Sequence, residues 1–153
     1  MSDDLPVTPA NGVILAKLAV IDDTLHRLSA YLPVSFEKLE ADWGLRKIAE
    51  RSLQIMVEAM IDIAERFIAL EGGVPPTTSV EAIERLQRAG IVAPNAAYAR
   101  MVRFRNFLVH NYDSLDVGIL YGVLTSHLQE FRTFIAEVKA RAAGGPGTAA
   151  PGA

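Results

Sequence analysis

The sequence predicts an all-α fold, an up-and-down bundle of four long helices and one short helix. Apolar residues recur at alternating spacings of three and four residues through most of the chain, which is typical of helices with one buried face. No segment alternates apolar and polar residues in the way that is typical of a β-strand. Proline and glycine clusters separate the helical segments by short connections, which favours side-by-side packing of consecutive helices.

The length of 153 residues suits one domain with a hydrophobic core. We expect a helical domain over residues 13–142, a flexible lead over residues 1–12, and a disordered tail of glycine, alanine and proline over residues 143–153. The apolar stretch of residues 12–21 is interrupted by Lys17 and is too short to cross a bilayer, so no membrane span is expected. The acidic N-terminus lacks the pattern of a secretion signal, which favours the cytoplasm.

The first two predicted helices cover residues 13–32 and 35–71. Pro33 ends the first, because the residue before a proline is disfavoured in the helical conformation. Ser35 can cap the second. Residues 53–67 of the second helix are apolar on more than one side, which indicates burial against several neighbouring helices or against a second subunit. Met56, Met60 and Met101 lie on apolar stripes and are expected in the core.

The remaining helices have recognisable starting and ending residues. Thr78 and Glu81 form a capping-box pattern that predicts a short third helix, and Gly90 suits the left-handed position after its end. Asn95 is the predicted N-cap of a fourth helix over residues 96–111. A fifth helix is predicted from residue 116 to residue 141.

The chain has no cysteine, which excludes disulfides, thiolate zinc sites and cysteine nucleophiles. The three histidines, His26, His110 and His127, are scattered, so we expect no metal site within one chain and no cofactor. His26 should be exposed, and His127 should be half-buried beside an apolar stripe. Any catalysis is therefore expected to be metal-free.

Positive charge is concentrated in one segment. Residues 85–112 contain five arginines and no acidic residue, although the whole chain has a net charge of −3. The five are Arg85, Arg88, Arg100, Arg103 and Arg105. The total charge argues mildly against a nucleic-acid-binding protein, but this segment is suited to contact phosphate.

The candidate chemistry lies in residues 105–112, which read Arg-Asn-Phe-Leu-Val-His-Asn-Tyr. Arg105 can hold a phosphate, His110 can move a proton near neutral pH, and Tyr112 offers a hydroxyl group that a partner could modify. Each has a more ordinary alternative role. A histidine near a helix end is more often a surface or capping residue, an arginine a solvated salt-bridge partner, and a tyrosine a packing residue.

A regular helix does not bring the arginine and the histidine together. His110 lies about 140° around the helix from Arg105, whereas Tyr112 lies on nearly the same face as Arg105. Either the last turn of the helix loosens, or a second copy of the helix supplies the missing group across a symmetric dimer. We favour the dimer, in which two copies of Arg105 and His110 surround one cleft.

Such a cleft would suit RNA cleavage. A 2′-hydroxyl must lose a proton to attack the neighbouring phosphorus, the leaving 5′-oxygen must gain a proton, and the pentacoordinate phosphate must be stabilised. Two histidines can act as base and acid, while two arginines hold the phosphate.

Residues 101–113 resemble the signature segment of HepT-like toxins of the HEPN superfamily. Four features of that signature occur at matching positions. They are the Arg-x4-His-x-Tyr pattern and the dipeptides Arg-Asn, Val-His and Tyr-Asp. Residues 56–64 are similar to the family's second helix. The short capped helix and the last helix extend the resemblance, which covers residues 13–140.

The resemblance implies a HEPN-type bundle, a homodimer, and the metal-independent endoribonuclease toxin of a type VII (HepT/MntA-like) toxin–antitoxin system. Arg105 and His110 match the family's catalytic pair, and Asn106 matches the polar residue that accompanies it. Arg100 and Arg103 are expected to contact the RNA phosphates. The implied partner is an MNT-type nucleotidyltransferase antitoxin that transfers AMP from ATP to the motif tyrosine, which is Tyr112 in this sequence.

Two alternatives stay open. One is a non-catalytic HEPN module that binds a nucleotide or docks onto a nucleotidyltransferase. The other is a plain helical dimerisation adaptor. The presence of both Arg105 and His110 disfavours each of them.

Overall fold

A computed structural model describes residues 11–110 and 116–143, and all the regular structure within these ranges is helical. The predicted all-α bundle is confirmed, with two of the predicted helices each divided in two. The helices are α1 (Gly12–Ser29), α2 (Phe36–Ala41), α3 (Trp43–Leu70), α4 (Ser79–Arg88), α5 (Ala96–His110), α6 (Val117–Ser126) and α7 (Leu128–Ala142).

Helix α1 buries the predicted apolar stripe but ends three residues earlier than expected. The backbone N–H of Tyr31 donates to the carbonyl of Leu28 (3.0 Å), and that of Leu32 donates to the carbonyl of Ser29 (3.1 Å). These bonds span three residues instead of four, so the chain tightens into a turn before Pro33. The buried stripe consists of Ile14, Leu18, Ile21, Leu25 and Leu28.

The predicted second helix is divided at Asp42, which separates α2 from α3. The backbone of Asp42 is extended (φ −109°, ψ 95°), and its carboxylate accepts a hydrogen bond from the backbone N–H of Leu45 at 2.9 Å. An N-cap residue adopts a non-helical backbone, so a continuous helix is interrupted there. Arg46 of α3 donates to the carbonyl of Leu39 near the end of α2 (3.0 Å) and ties the two helices together.

The caps predicted for α2 and α4 are confirmed. The Ser35 side chain accepts from the N–H of Lys38 (3.1 Å), and the Thr78 side chain accepts from the N–H of Glu81 (3.0 Å). The Glu81 carboxylate reaches back to Thr77, from which it accepts both the backbone N–H (2.7 Å) and the hydroxyl (2.8 Å). Beyond the other end of α4, Gly90 has the predicted left-handed backbone, with φ 74°.

The predicted fifth helix is divided at His127, which separates α6 from α7. His127 has φ −122° and ψ 0°, and no side-chain hydrogen bond caps α7 there. His127 is half-buried and His26 is exposed, both as predicted.

Helix α3 is central, because α1, α2, α4, α5 and α6 all pack against it, while α7 packs against α1 and α6. Neighbouring helices of the same chain bury residues 53–67 on several sides. This was one of the two predictions for the segment, the other being burial against a second subunit. The methionines predicted in the core, Met56, Met60 and Met101, are buried.

Some predictions concern residues outside the described ranges. Residues 1–10 and 144–153 contain nearly all of the predicted lead and tail. Residues 111–115 include Tyr112 and the predicted last residue of the fourth helix. None of the described helices has the length and apolar character that crossing a bilayer requires.

Candidate functional site

Helix α5 carries the predicted motif, and its buried face determines how the helix is oriented. Ala97, Tyr98, Met101 and Val102 are buried. The Tyr98 hydroxyl donates to Oε1 of Glu137 on α7 at 2.5 Å, and burial together with this carboxylate raises the pKa of Tyr98. The phenol therefore stays protonated and keeps donating, which holds α5 against α7.

The connection before α5 is also held by α7. The Asn95 side chain accepts from the N–H of Ala97 (2.9 Å), which confirms the predicted N-cap, and it donates to Glu130 (2.7 Å). The backbone N–H of Ala93 donates to the second oxygen of Glu137 (2.9 Å). Two glutamates of α7 thus fix the position at which α5 begins.

Arg105 points from α5 towards α3. Its Nη1 donates to Oδ1 of Asn106 at 3.0 Å, and its Nη2 lies 3.5 Å from Oε1 of Glu58 on α3. The same Glu58 oxygen accepts from Nε2 of Gln54 at 3.0 Å. The Arg105 side chain is 26% exposed. The structure therefore brings together Arg105 and Asn106, two of the three predicted catalytic residues.

His110, the third predicted catalytic residue, lies elsewhere on the helix surface. It is the last residue of α5 and is exposed. Because α5 stays α-helical through His110, this residue is about 140° around the helix axis from Arg105. One chain therefore presents the arginine and the histidine in different directions. The predicted AMP acceptor, Tyr112, lies outside the described residues.

The predicted phosphate-binding residues, Arg100 and Arg103, are both exposed on α5. Arg100 also borders a mainly apolar cavity of about 220 Å³ between α3, α5, α6 and α7. His127, at the junction of α6 and α7, contributes to the same cavity wall. The apolar residues that line this cavity are Leu53, Val57, Ala97, Met101, Phe104, Ile119, Val123 and Phe131.

Glu58 and Gln54 were not predicted as site residues. Both lie on α3, four residues apart and therefore on one face of that helix. The available sequence signal was a polar pair in an otherwise apolar segment, beside the buried residues Leu53 and Val57. That signal does not predict the contact between Glu58 and Arg105, because these two residues are 47 residues apart in the chain.

Comparisons with known proteins show which proteins this chain is similar to. By sequence, the chain is similar to the tRNA nuclease HepT of Aphanizomenon flos-aquae, with 26% identity over 128 residues, covering 82% of this chain and 87% of that protein. It is also similar to the mRNA nuclease HepT of Shewanella oneidensis, with 27% identity over 132 residues, covering 85% and 98%.

By structure, the chain is similar to a tri-AMPylated HEPN toxin of Shewanella oneidensis that was solved in complex with an MNT antitoxin. The TM-score is 0.77 at 27% identity, and the match covers 85% of this chain and 98% of that toxin. The model of the family described as ribonuclease HepT-like matches residues 21–138, which include α3, α4, α5 and the Arg105–His110 motif. The chain belongs to the ribonuclease HepT-like family.

Proposed function

We propose that this chain is the metal-independent endoribonuclease toxin of a type VII (HepT/MntA-like) toxin–antitoxin system. Its catalytic residues are Arg105 and His110, accompanied by Asn106, and Arg100 and Arg103 hold the RNA. Family membership supports a ribonuclease, and both of the relatives compared by sequence are named as RNA nucleases.

The conformation of Arg105 is the main observation that supports the proposal. A solvated salt-bridge partner would extend into water, whereas Arg105 is largely covered and contacts Asn106 through Nη1 and Glu58 through Nη2. An arginine presents a planar fork of N–H donors that matches the geometry of a phosphate. Holding that fork in place reduces the conformational freedom that it loses when a phosphate binds.

The direction of His110 supports a dimeric site. Because the histidine is exposed and lies about 140° around the helix from Arg105, a second copy of the chain is the natural source of the missing group. In the proposed homodimer, the imidazoles act as base and acid on the 2′-hydroxyl and the leaving 5′-oxygen. The arginines stabilise the pentacoordinate phosphate.

Metal independence is part of the proposal because the motif itself offers the groups that RNA cleavage needs. Proton transfer by His110 and charge stabilisation by Arg105 supply the chemistry that RNA cleavage needs.

The proposed partner is an MNT-type nucleotidyltransferase antitoxin that adenylylates Tyr112. The structural relative described above, a tri-AMPylated toxin bound to its MNT antitoxin, supports this partner. Tyr112 follows His110 by two residues, so an attached AMP would add bulk and negative charge near the arginines of α5. Both effects oppose binding of the RNA backbone.

The nuclease is tested by incubating the purified protein with total RNA in EDTA. Arg105→Ala and His110→Ala should each lower the cleavage rate by about a hundredfold or more, since a positioned proton donor or oxyanion contact contributes at least that much. Arg132→Ala and His26→Ala change an exposed arginine on α7 and an exposed histidine on α1, and both should cleave like the wild type.

Each other result has a definite meaning. Equal cleavage by all five proteins would identify a contaminating nuclease and overturn the proposal. Binding of RNA without cleavage by the wild type would favour the alternative, a non-catalytic HEPN nucleotide-binding or nucleotidyltransferase-docking module.

The modification is tested by co-expression with an MNT-type nucleotidyltransferase and mass spectrometry of the peptide that contains Tyr112. We expect AMP on this peptide in the wild type and in Tyr31→Phe, and no AMP on it in Tyr112→Phe. Tyr31 is a suitable control because its side chain is exposed. An unmodified Tyr112 in the wild type would remove adenylylation from the proposal without affecting the nuclease.

A further inference from the structure

Two side chains of α3 contact the motif arginine although they lie outside the sequence motif. Oε1 of Glu58 is 3.5 Å from Nη2 of Arg105, and it accepts a hydrogen bond from Nε2 of Gln54 at 3.0 Å. Both side chains of the ion pair are only partly exposed, 26% for Arg105 and 36% for Glu58. The pair therefore lies along the interface between α3 and α5 and not on a fully solvated surface.

The core determines where these groups lie. Leu53 and Val57 are buried, and Gln54 and Glu58 follow each of them by one residue, at the edge of the buried face of α3. On α5, Arg105 follows the buried Met101 by four residues and stands above it on the same face. Packing of the two helices therefore sets the arginine beside the glutamate.

The contacts leave part of the guanidinium free to bind a phosphate. Each terminal nitrogen of an arginine carries two N–H groups. Asn106 accepts one from Nη1, and Glu58 faces Nη2. Nε is covered and has no hydrogen-bond partner among the described residues. The terminal nitrogens are thus held from two sides, and their remaining N–H groups can still donate.

We propose that Glu58, held by Gln54, is a positioning residue that directs the Arg105 guanidinium towards the RNA phosphate. This inference rests on the proposed ribonuclease activity. At 3.5 Å, the contact is longer than an ordinary charged hydrogen bond, so a phosphate can compete for Nη2. Glu58 is also negatively charged and repels a phosphate. Its contribution must therefore lie in the orientation of the arginine and not in the affinity for RNA.

This division of roles predicts a separation of kcat from KM. In Glu58→Ala, Arg105 loses its partner on α3, and kcat should fall about tenfold because misorientation of a reacting group is costly. KM should stay constant or decrease, since a negative charge near the substrate is removed. Gln54→Ala should lower kcat in the same direction by a smaller factor. Glu65→Ala, which changes an exposed glutamate of α3, is the matched control and should leave both constants unchanged.

The conservative variant Glu58→Gln distinguishes orientation from charge. Its amide oxygen can still accept from Nη2, so it should recover most of the kcat that Glu58→Ala loses. Two results would overturn the inference. One is a Glu58→Ala protein with kcat close to that of the wild type, or with a raised KM alone. The other is a Glu58→Gln protein as slow as Glu58→Ala. Thermal unfolding of each variant verifies that the bundle is intact.

A measurement without RNA separates this inference from the proposed function. In ¹⁵N NMR spectra, a guanidinium whose rotation is slow gives separate signals for its two Nη atoms. The signals of Arg105 are identified as those that disappear in Arg105→Lys. These signals should merge in Glu58→Ala and persist in Glu65→Ala. If they do not respond to Glu58→Ala, the positioning role is wrong even when the protein cleaves RNA. If they respond but the wild type cleaves no RNA, Glu58 holds Arg105 and the proposed nuclease function is wrong.

Discussion

At the scale of single residues, two polar side chains of α5 have partners on different helices. Arg105 contacts Glu58 of α3, and Tyr98 donates to Glu137 of α7. A helix that is held at both flanks cannot rotate freely about its own axis. The direction in which the exposed His110 leaves the helix therefore depends on contacts made by residues that lie roughly one turn and three turns before it. Polar pairs at helix interfaces thus support the site as well as the fold.

Tyr98→Phe should weaken the attachment of α5 to α7. The ring remains and keeps its edge-to-face contact with Phe134, which has 5.5 Å between ring centroids. Only the hydrogen bond to Glu137 is lost, so the free energy of unfolding should fall by about 1.5–3 kcal/mol, the usual contribution of a hydrogen bond to a charged group. Urea denaturation measures the change. Tyr31→Phe removes an exposed hydroxyl and should have no effect, so equal stability of the two variants would contradict the prediction.

At the scale of single helices, side chains that precede a helix determine where it begins. Asp42 divides a segment in which apolar residues recur at helical spacing both before and after it. The backbone N–H of Leu45 and the nearby Lys38 lower the pKa of the Asp42 carboxyl, which favours the ionised form as the cap of α3. At α4, the backbone N–H and hydroxyl of Thr77, together with Arg85, lower the pKa of Glu81 to about 2.

The low pKa of Glu81 predicts a dependence of stability on pH. A carboxyl whose pKa is lower in the folded state stabilises the protein above its unfolded pKa, and that contribution is lost as the pH falls through the folded pKa. For Glu81, the loss should occur between its ordinary value of 4.5 and about 2. Glu81→Gln should therefore unfold at a lower temperature than the wild type at neutral pH, and the difference should shrink across this window.

Thermal unfolding at a series of pH values tests this prediction. Glu84→Gln, which changes an exposed glutamate on the same helix, is the control. A difference between Glu81→Gln and the wild type that stays constant from neutral pH down to pH 2 would contradict the assignment.

At the scale of the whole molecule, a chain of net negative charge presents Arg100 and Arg103 on the exposed face of α5. The core around α3 holds this helix, while Arg105 and His110 point in different directions. In the described part of one bundle, Arg105 and His110 therefore do not face each other. In the proposed function, a second copy of the chain completes the site.

The proposed dimeric site predicts that an inactive subunit also inactivates a wild-type partner. When His110→Ala and wild-type subunits are refolded together, a mixed dimer keeps only one of the two histidines that the proposed mechanism uses as base and acid. Cleavage should therefore fall well below the share of wild-type subunits in the mixture. Light scattering establishes whether dimers are present. Cleavage that simply follows the share of wild-type subunits would contradict a shared cleft.

The sequence by itself determined most of the helices, the buried stripe of α1, the caps at Ser35, Thr78 and Asn95, and the candidate residues of the motif. These features depend on residues within a few positions of each other, where spacing and capping chemistry decide the conformation. Asp42 also carried a local capping signal, but the continuous apolar period concealed it. At His127 no side-chain hydrogen bond caps α7, and the structure reveals the division between α6 and α7.

The tertiary structure alone decided which groups surround the motif. Glu58 and Arg105 are 47 residues apart, and Tyr98 and Glu137 are 39 residues apart. No periodicity connects residues at such distances, because their contact depends on how α3, α5 and α7 pack together. Local patterns therefore specified the side chains that can perform chemistry, whereas packing between helices decided which partners orient them.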